Sequence, residues 1–223
     1  MNLVLELSKK FKNNISHNVE LSNYSWFNLG GPAEHLFKPY NKEQLIQFLE
    51  INKKNNLNIT ILGAGSNTLI RDNGVKGVVI KLGSNFSSIV LTDKNTIEVG
   101  AATLDRKIAN FAKENGIGNL EFLSCIPGSI GGAVIMNSGC YENDISKVLV
   151  SINVIDTHSC KEKEIKRKDI DFFYRGTNLP KHLIITSVKL KGDNIDKVLI
   201  EEKQRKFIEE KKLSQPSQIK TCG

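Results

Sequence analysis

The 223-residue chain has no run of about 18 apolar residues, the length a helix needs to cross a bilayer, so no membrane span is expected. Its first residues, MNLVLELSKKFKNN, lack a basic region followed by a long apolar stretch. No secretory leader is therefore expected, and the default compartment is the cytoplasm. Cysteine is sparse. Cys125, Cys140, Cys160 and Cys222 form no C-x-x-C pair, and none stands at ligand spacing from a histidine. Free thiols and no metal site are the expectation. The excess of 31 Lys and Arg over 24 Asp and Glu, a net charge of +7, raises the question of nucleic acid. The basic residues are scattered apart from KEKEIKRKD, and no RNP, zinc-finger or helix-turn-helix pattern accompanies them. A lysine-rich surface that steers a small anionic substrate is the preferred reading, with no nucleic-acid and no membrane partner.

What is present is an alternation of short strands and helices, an α/β (α+β) pattern. Leu3, Val4, Leu7 and Phe11 predict a short first helix. HNVELSNYSWFNLGGPAEHLFKP reads as two extended pieces about Gly30-Gly31-Pro32. Asn41 is a fitting N-cap for NKEQLIQFLEINKKNN, with Gln44 placed to close a capping box. NITIL and GVVIKL read as strands, and SSIVLTD and NTIEVGA as a hairpin turned at Asp93, Lys94 and Asn95. Thr103 is positioned to cap LDRKIANFAKEN, which Gly116 ends. VLVSINVID and LIITSVKLK are further strands, and a charged helix is predicted from near Asp193. The composition shifts at Gly192. Residues 1–192 read as one domain with halves of about 1–82 and 83–192, and 193–223 as the first helix of another.

Two glycine stretches carry the chemistry. GAGSN, residues 63–67, follows a strand as a dinucleotide-binding turn would. However, Thr68 stands where a third small residue is wanted, and TLIRDNGVKG after it does not read as a helix. A plain β-turn remains open. Ile126-Pro127-Gly128-Ser129-Ile130-Gly131-Gly132-Ala133 packs three glycines and a proline among apolar neighbours. Such a loop lets a ligand approach and exposes backbone N–H groups to phosphate oxygens. A buried loop whose glycines only ease packing also remains open. Together the two stretches suggest a dinucleotide held from both sides.

The stretches NYSWFNLGGPAE, ILGAGSNTLI, EFLSCIPGSIGGAVIMNSGCY, FFYRGTNLP and the late Gln215-Pro216 pair occur in one order over residues 20–223. In that order they resemble the UDP-N-acetylenolpyruvoylglucosamine reductase (UDP-N-acetylmuramate dehydrogenase) family. The resemblance implies a FAD-binding domain of vanillyl-alcohol-oxidase type with two α/β subdomains, followed by a substrate-binding domain. It implies that Gly63, Ala64, Gly65, Ser66 and Asn67 hold FAD from one side. Ile126, Gly128, Ser129, Gly131, Gly132 and Ala133 would hold it from the other. It makes Arg175 catalytic, gripping the carboxylate of UDP-N-acetylglucosamine enolpyruvate, with Tyr174 as a substrate-binding neighbour. A guanidinium suits that role because it is planar, bidentate and always charged. The family passes hydride from NADPH through FAD to the vinyl carbon, and a serine protonates the adjacent carbon. Thr177 stands where the family has serine, and Cys125 where it commonly has glycine.

The resemblance also places that serine just after Gly223 and a catalytic glutamate later still, so neither is among these 223 residues. Ser214 and Ser217 are wrongly spaced from the Gln-Pro pair to replace the serine. Glu209 and Glu210 lie on a charged helix face. The expectation is a chain that binds FAD and turns over weakly or not at all; the alternative is a non-catalytic FAD-binding remnant.

Overall fold

In the computed structural model, residues 3–215 are described, with side chains from Leu7 onward. The turn expected after Gln215 and the terminal Cys222 and Gly223 lie outside the described residues, as do the side chains of Leu3 and Val4. The described residues build two large sheets and three short two-stranded pairings. Helix α1 (Leu3–Lys10) leads into strands β1 (Ile15–Glu20) and β2 (Pro32–Phe37), helix α2 (Lys42–Asn55), and strands β3 (Ile59–Ile61) and β4 (Val75–Ile80). The four strands form one sheet in the order β1-β2-β4-β3. β4 pairs in parallel with both neighbours, while β1 joins antiparallel. Val78, Val79 and Ile80 are all buried because both faces of β4 are covered, as for a central parallel strand.

One face meets α2, whose Leu45, Phe48 and Leu49 pack with Phe11, Phe37, Val78 and Ile80. Phe37 and Phe48 stack with centroids 4.5 Å apart. Asn41 caps α2, its Oδ1 accepting from the Gln44 N–H at 2.9 Å. The expected capping box closes one residue early: the Gln44 Oε1 accepts from the Tyr40 N–H at 2.6 Å. Asn56, at φ 52°, ends the helix in the left-handed region.

The second sheet is antiparallel throughout. Hairpin β5 (Ile89–Asp93) and β6 (Thr96–Gly100) precede helix α3 (Asp105–Glu114) and the short helix α4 (Ile130–Ile135). Strands β7 (Leu149–Asp156), β8 (Glu162–Lys166) and β9 (Leu183–Lys191) follow, in the sheet order β8-β7-β9-β6-β5. Ile108, Ala109 and Ala112 of α3 and Ile130, Ala133 and Val134 of α4 fill its core. Ile155 and Ile184, from β7 and β9, reach into the α2 cluster, so the two sheets share buried apolar surface.

Two local expectations fail. Thr103 does not cap α3; Leu104 precedes the helix without any side-chain cap. The backbone of Thr103 is used elsewhere, its carbonyl accepting from the Ile130 N–H at 2.9 Å. The last helix does not begin near Asp193. Asp193 and Asn194 pair antiparallel with Ile117 and Gly118, and α5 runs Lys197–Ser214 with the Asp196 carboxylate accepting from the Val198 N–H at 2.8 Å. α5 lies back on the second sheet's helices. Gln204 donates to the Ala109 carbonyl at 2.9 Å, Lys203 pairs with buried Glu121 at 3.3 Å, and the Phe207 ring stacks on Tyr141 at 4.7 Å.

Phe48→Ala removes a fully buried ring between two others. It is expected to lower unfolding stability by about 3–5 kcal/mol, read from the shift in urea midpoint, because the cavity adds to the lost transfer energy.

Candidate flavin site

The first glycine stretch leaves the edge of the parallel sheet. The Leu62 N–H still donates to the Ile80 carbonyl at 2.9 Å, and the chain then turns away at Gly63. Gly65 has φ +74°, and a Cβ there would strike the Tyr24 carbonyl. Its own carbonyl accepts from the Trp26 N–H at 2.9 Å. Among the described residues no protein acceptor meets the N–H groups of residues 63–68. The Lys81 ammonium donates to the Gly63 carbonyl, and burial, with Lys38 nearby, lowers its pKa. Consecutive unanswered N–H groups beside a lysine form an anion-binding concavity. The turn is thus more than a plain β-turn.

The second stretch is half loop and half helix. An antiparallel bridge joins Leu104 to Ser129. The Asp105 N–H donates to the Gly128 carbonyl at 3.1 Å, and the Gly131 N–H to the Ala101 carbonyl at 3.0 Å. With Ile130 also bonded, only the Ser129 and Gly132 N–H groups of residues 128–132 lack a protein acceptor among the described residues. The stretch is thus partly packed and partly open, between the two readings that the sequence left. Gly131 serves close packing, since a Cβ there would sit 3.1 Å from the Ala101 Cβ, whereas a Cβ on Gly132 would meet only the Ser129 Oγ at 3.9 Å. The two stretches meet. A Cβ on Gly63 would lie 2.9 Å from the Ser129 Oγ, and one on Gly128 would lie 2.8 Å from the Asp105 carboxylate and 3.7 Å from the Ser66 Oγ.

Thr103 and Asp105 lie under this junction, fully buried, and neither the Thr103 hydroxyl nor the Asp105 carboxyl has a hydrogen-bond partner. The sequence pattern marked Thr103 only as a helix cap and Asp105 not at all, because the pairing that buries them is tertiary. Burial pushes the Asp105 carboxyl well above the usual carboxylate range.

Arg175 comes from a different element. It follows Tyr174 in the turn between the paired Phe172–Phe173 and Gly176–Thr177, at φ +58°. The turn is pinned to α4. The Thr177 hydroxyl donates to the Ile135 carbonyl at 3.2 Å, and the Asn137 amide to the Phe173 carbonyl at 3.2 Å. The Arg175 guanidinium donates to the Gly139 carbonyl at 3.1 Å and lies over the Tyr174 ring at 4.9 Å. Tyr174 itself is 86 % exposed and does not line the cleft, so its ring supports the guanidinium from the rim.

A cleft of about 1620 Å³ brings together residues 63–67, Ile126, Gly128, Ser129, Gly131, Gly132, Ala133 and Arg175. It also holds Lys81, Asp105, Cys125, Cys140 and Lys211, to none of which the sequence reading gave a role. The Lys211 ammonium donates to the Cys125 carbonyl at 2.5 Å. The Cys140 thiol donates to the Phe122 carbonyl at 3.4 Å, and its nearness lowers the pKa of the Cys125 thiol to about 6. The donor set fits a flavin dinucleotide. N–H groups face one another across the cleft, glycines stand where any side chain would fill it, and buried polar atoms are orphaned beneath.

Burial favours the neutral form of Asp105 in the folded chain, while the carboxyl ionises freely in the unfolded one, so raising pH above the ordinary carboxylate range favours unfolding. Asp105→Asn is therefore expected to be more stable than the parent without cofactor. The gap in urea midpoint should widen as the pH rises above the ordinary carboxylate range of about 4; a constant gap would contradict the burial argument.

A family described as FAD binding domain matches residues 33–159. The chain is 42% identical over 224 residues to the UDP-N-acetylenolpyruvoylglucosamine reductase of Pelagibacter ubique (strain HTCC1062), covering 98% of this chain and 73% of the relative. It is 40% identical to the Rickettsia felis enzyme of the same name, covering 95% of the chain and 71% of the relative. The crystal structure of the Thermus caldophilus UDP-N-acetylenolpyruvylglucosamine reductase superposes with a TM-score of 0.80 at 31% identity, covering 92% of this chain and 71% of that one. A VAO-type flavoprotein from Myceliophthora thermophila superposes with a TM-score of 0.62 at 12% identity, covering 85% of this chain and 46% of that one, a likeness of fold alone. With two glycine stretches converging on one cleft in a VAO-type α/β fold, the chain belongs to the UDP-N-acetylenolpyruvoylglucosamine reductase family.

Proposed function

We propose that the chain binds FAD between its two glycine stretches and serves the reduction of UDP-N-acetylglucosamine enolpyruvate to UDP-N-acetylmuramate, with NADPH as hydride donor. The observation that carries this reading is the facing pair of unanswered N–H sets in one cleft with Arg175. The N–H groups of Gly63, Ala64, Gly65, Ser66 and Asn67, with those of Ser129 and Gly132, answer the pyrophosphate oxygens. Lys81 supplies compensating charge. Ile126, Gly128 and Ala133 form the wall against which the cofactor lies, and Gly131 brings that wall close to Ala101. FAD, when bound, supplies the hydride relay between NADPH and the enolpyruvyl group.

Arg175 spends one donor on the Gly139 carbonyl and keeps the others for the substrate carboxylate. Its fixed charge also stabilises negative charge that builds beside that carboxylate during reduction. Holding a non-glycine residue at φ +58° costs energy, and the pins from Thr177 and Asn137 offset it. The reading makes 1–82 and 83–192 the two halves of the FAD-binding domain, and 193–223 the opening of a substrate-binding domain. Exposed Val198, Leu199 and Leu213 on α5 support that division. No helix among the described residues is long and apolar enough to cross a membrane, in keeping with soluble substrates of the bacterial cytoplasm.

Gel filtration of the purified chain with FAD is expected to give a protein peak carrying the visible flavin band. A monodisperse but colourless peak would overturn the cofactor assignment. A flavin band without NADPH-dependent product would leave a FAD-binding chain that does not turn over. Where turnover is measurable, Arg175→Ala is expected to keep the band and lose about 100- to 1000-fold in kcat, the usual cost of removing one transition-state donor. Loss of the band instead would move Arg175 from the substrate to the cofactor.

A further inference from the structure

A second cluster of chemistry-bearing side chains lies outside the glycine cleft, in the turn between β7 and β8 and the segment that enters β9. Asp156, His158 and His182 each offer one donor atom, and the three atoms lie within 4.8 Å of one another. The His182 Nε2 stands 3.7 Å from the Asp156 Oδ2, and the two imidazoles stack at 4.3 Å with 23° between their planes. The turn that presents them is rigid. The other carboxylate oxygen, Asp156 Oδ1, accepts from the His158 N–H at 2.9 Å and the Ser159 N–H at 3.1 Å. The Thr157 N–H donates to the His182 carbonyl at 2.9 Å, and the Cys160 N–H to the Asp156 carbonyl at 2.8 Å. One oxygen of Asp156 is thus held by the backbone, while the other lies 3.7 Å from the His182 Nε2.

Two neutral imidazoles and a carboxylate oxygen are a borderline donor set, suited to Zn²⁺ and its transition-metal neighbours and unsuited to Mg²⁺ or Ca²⁺, which want oxygen alone. A tetrahedral zinc ion with bonds of about 2.0–2.1 Å needs its donors about 3.4 Å apart. The longest separation here must therefore close by about 1.4 Å at most, which partly exposed rings achieve by rotation about their side-chain bonds. The Lys163 ammonium sits 3.5 Å from the Asp156 Oδ2 and is half exposed. Such an open ion pair contributes little and yields to a dication.

We propose that Asp156, His158 and His182 form a site for one divalent transition ion of the Zn²⁺ class, which ties the β7–β8 turn to the segment entering β9. That segment matters because Leu179, Pro180, Lys181 and Leu183, on either side of His182, line the large cleft. The ion therefore clamps one wall of the cleft from outside and leaves its fourth position to water. The ligands are histidines brought together from 24 residues apart in the chain, so cysteine spacing gave no sign of them.

The test is calorimetric titration of the tag-free chain with zinc chloride in a non-chelating buffer, with thermal unfolding followed in parallel. One ion per chain is expected, with a dissociation constant in the micromolar range, a raised melting temperature, and no response to magnesium chloride. His182→Ala and Asp156→Asn, both at partly exposed positions, are each expected to weaken binding at least tenfold and abolish the thermal shift. Their metal-free melting should match the parent. His158→Ala, at the exposed ring, repeats the test if either variant fails to fold. Absence of binding at sub-millimolar zinc, or binding undiminished in these variants, overturns the proposal. So does a signal lost on Cys125→Ser, which would assign the ion to the thiols.

Discussion

The pairing of residues 101–105 with residues 128–131 is the contact on which the rest of the site depends. Backbone groups taken out of water must find partners, and these two segments supply one another's. The pairing answers the N–H groups of Ile130 and Gly131 and leaves those of Ser129 and Gly132 facing the cleft. It starts α3 immediately after Leu104 and α4 immediately after Ser129, so both helices leave the same junction and fill the same core. It also drives Thr103 and Asp105 beneath the loop without partners. Burial favours the protonated form of that carboxyl, which limits negative charge under an anion-binding surface.

The cleft exists because two sheets of different character share a core. The parallel sheet ends its strands at the first glycine stretch, the place where open α/β sheets gather ligands. The antiparallel sheet brings the second stretch up through α3 and α4. Ile155 and Ile184 cross into the α2 cluster, so the halves cannot part without exposing buried apolar surface. α5 closes the far side, where Lys203 meets Glu121, Lys211 meets the Cys125 carbonyl, and Tyr141 stacks on Phe207.

Charge is distributed in keeping with a dinucleotide and a carboxylate. Lys81, Lys211 and Arg175 all face the cleft, each tied to a backbone carbonyl, at Gly63, Cys125 and Gly139. These three carbonyls belong to the segments that shape the cleft, so the cations are aimed by the backbone they stabilise. The +7 net charge visible in composition thus has a local counterpart that composition alone does not place.

Local sequence determined a good deal of this protein. The cap at Asn41, the hairpin about Lys94 and Asn95, the long strands VLVSINVID and LIITSVKLK, and the two glycine stretches were legible because each rests on neighbours in the chain. The motif order likewise pointed to the family. What the sequence could not decide were features set by partners far away in it. Thr103 gave its carbonyl to the Ile130 N–H and no cap to α3, Asp193 became a strand edge because Gly118 lies beside it, and Gly131 became a packing contact because Ala101 approaches it. The neutral Asp105 and the Asp156–His158–His182 cluster belong to the same class. Burial and long-range pairing arise only when the sheets close on one another, and those two quantities decide which polar groups remain free to bind.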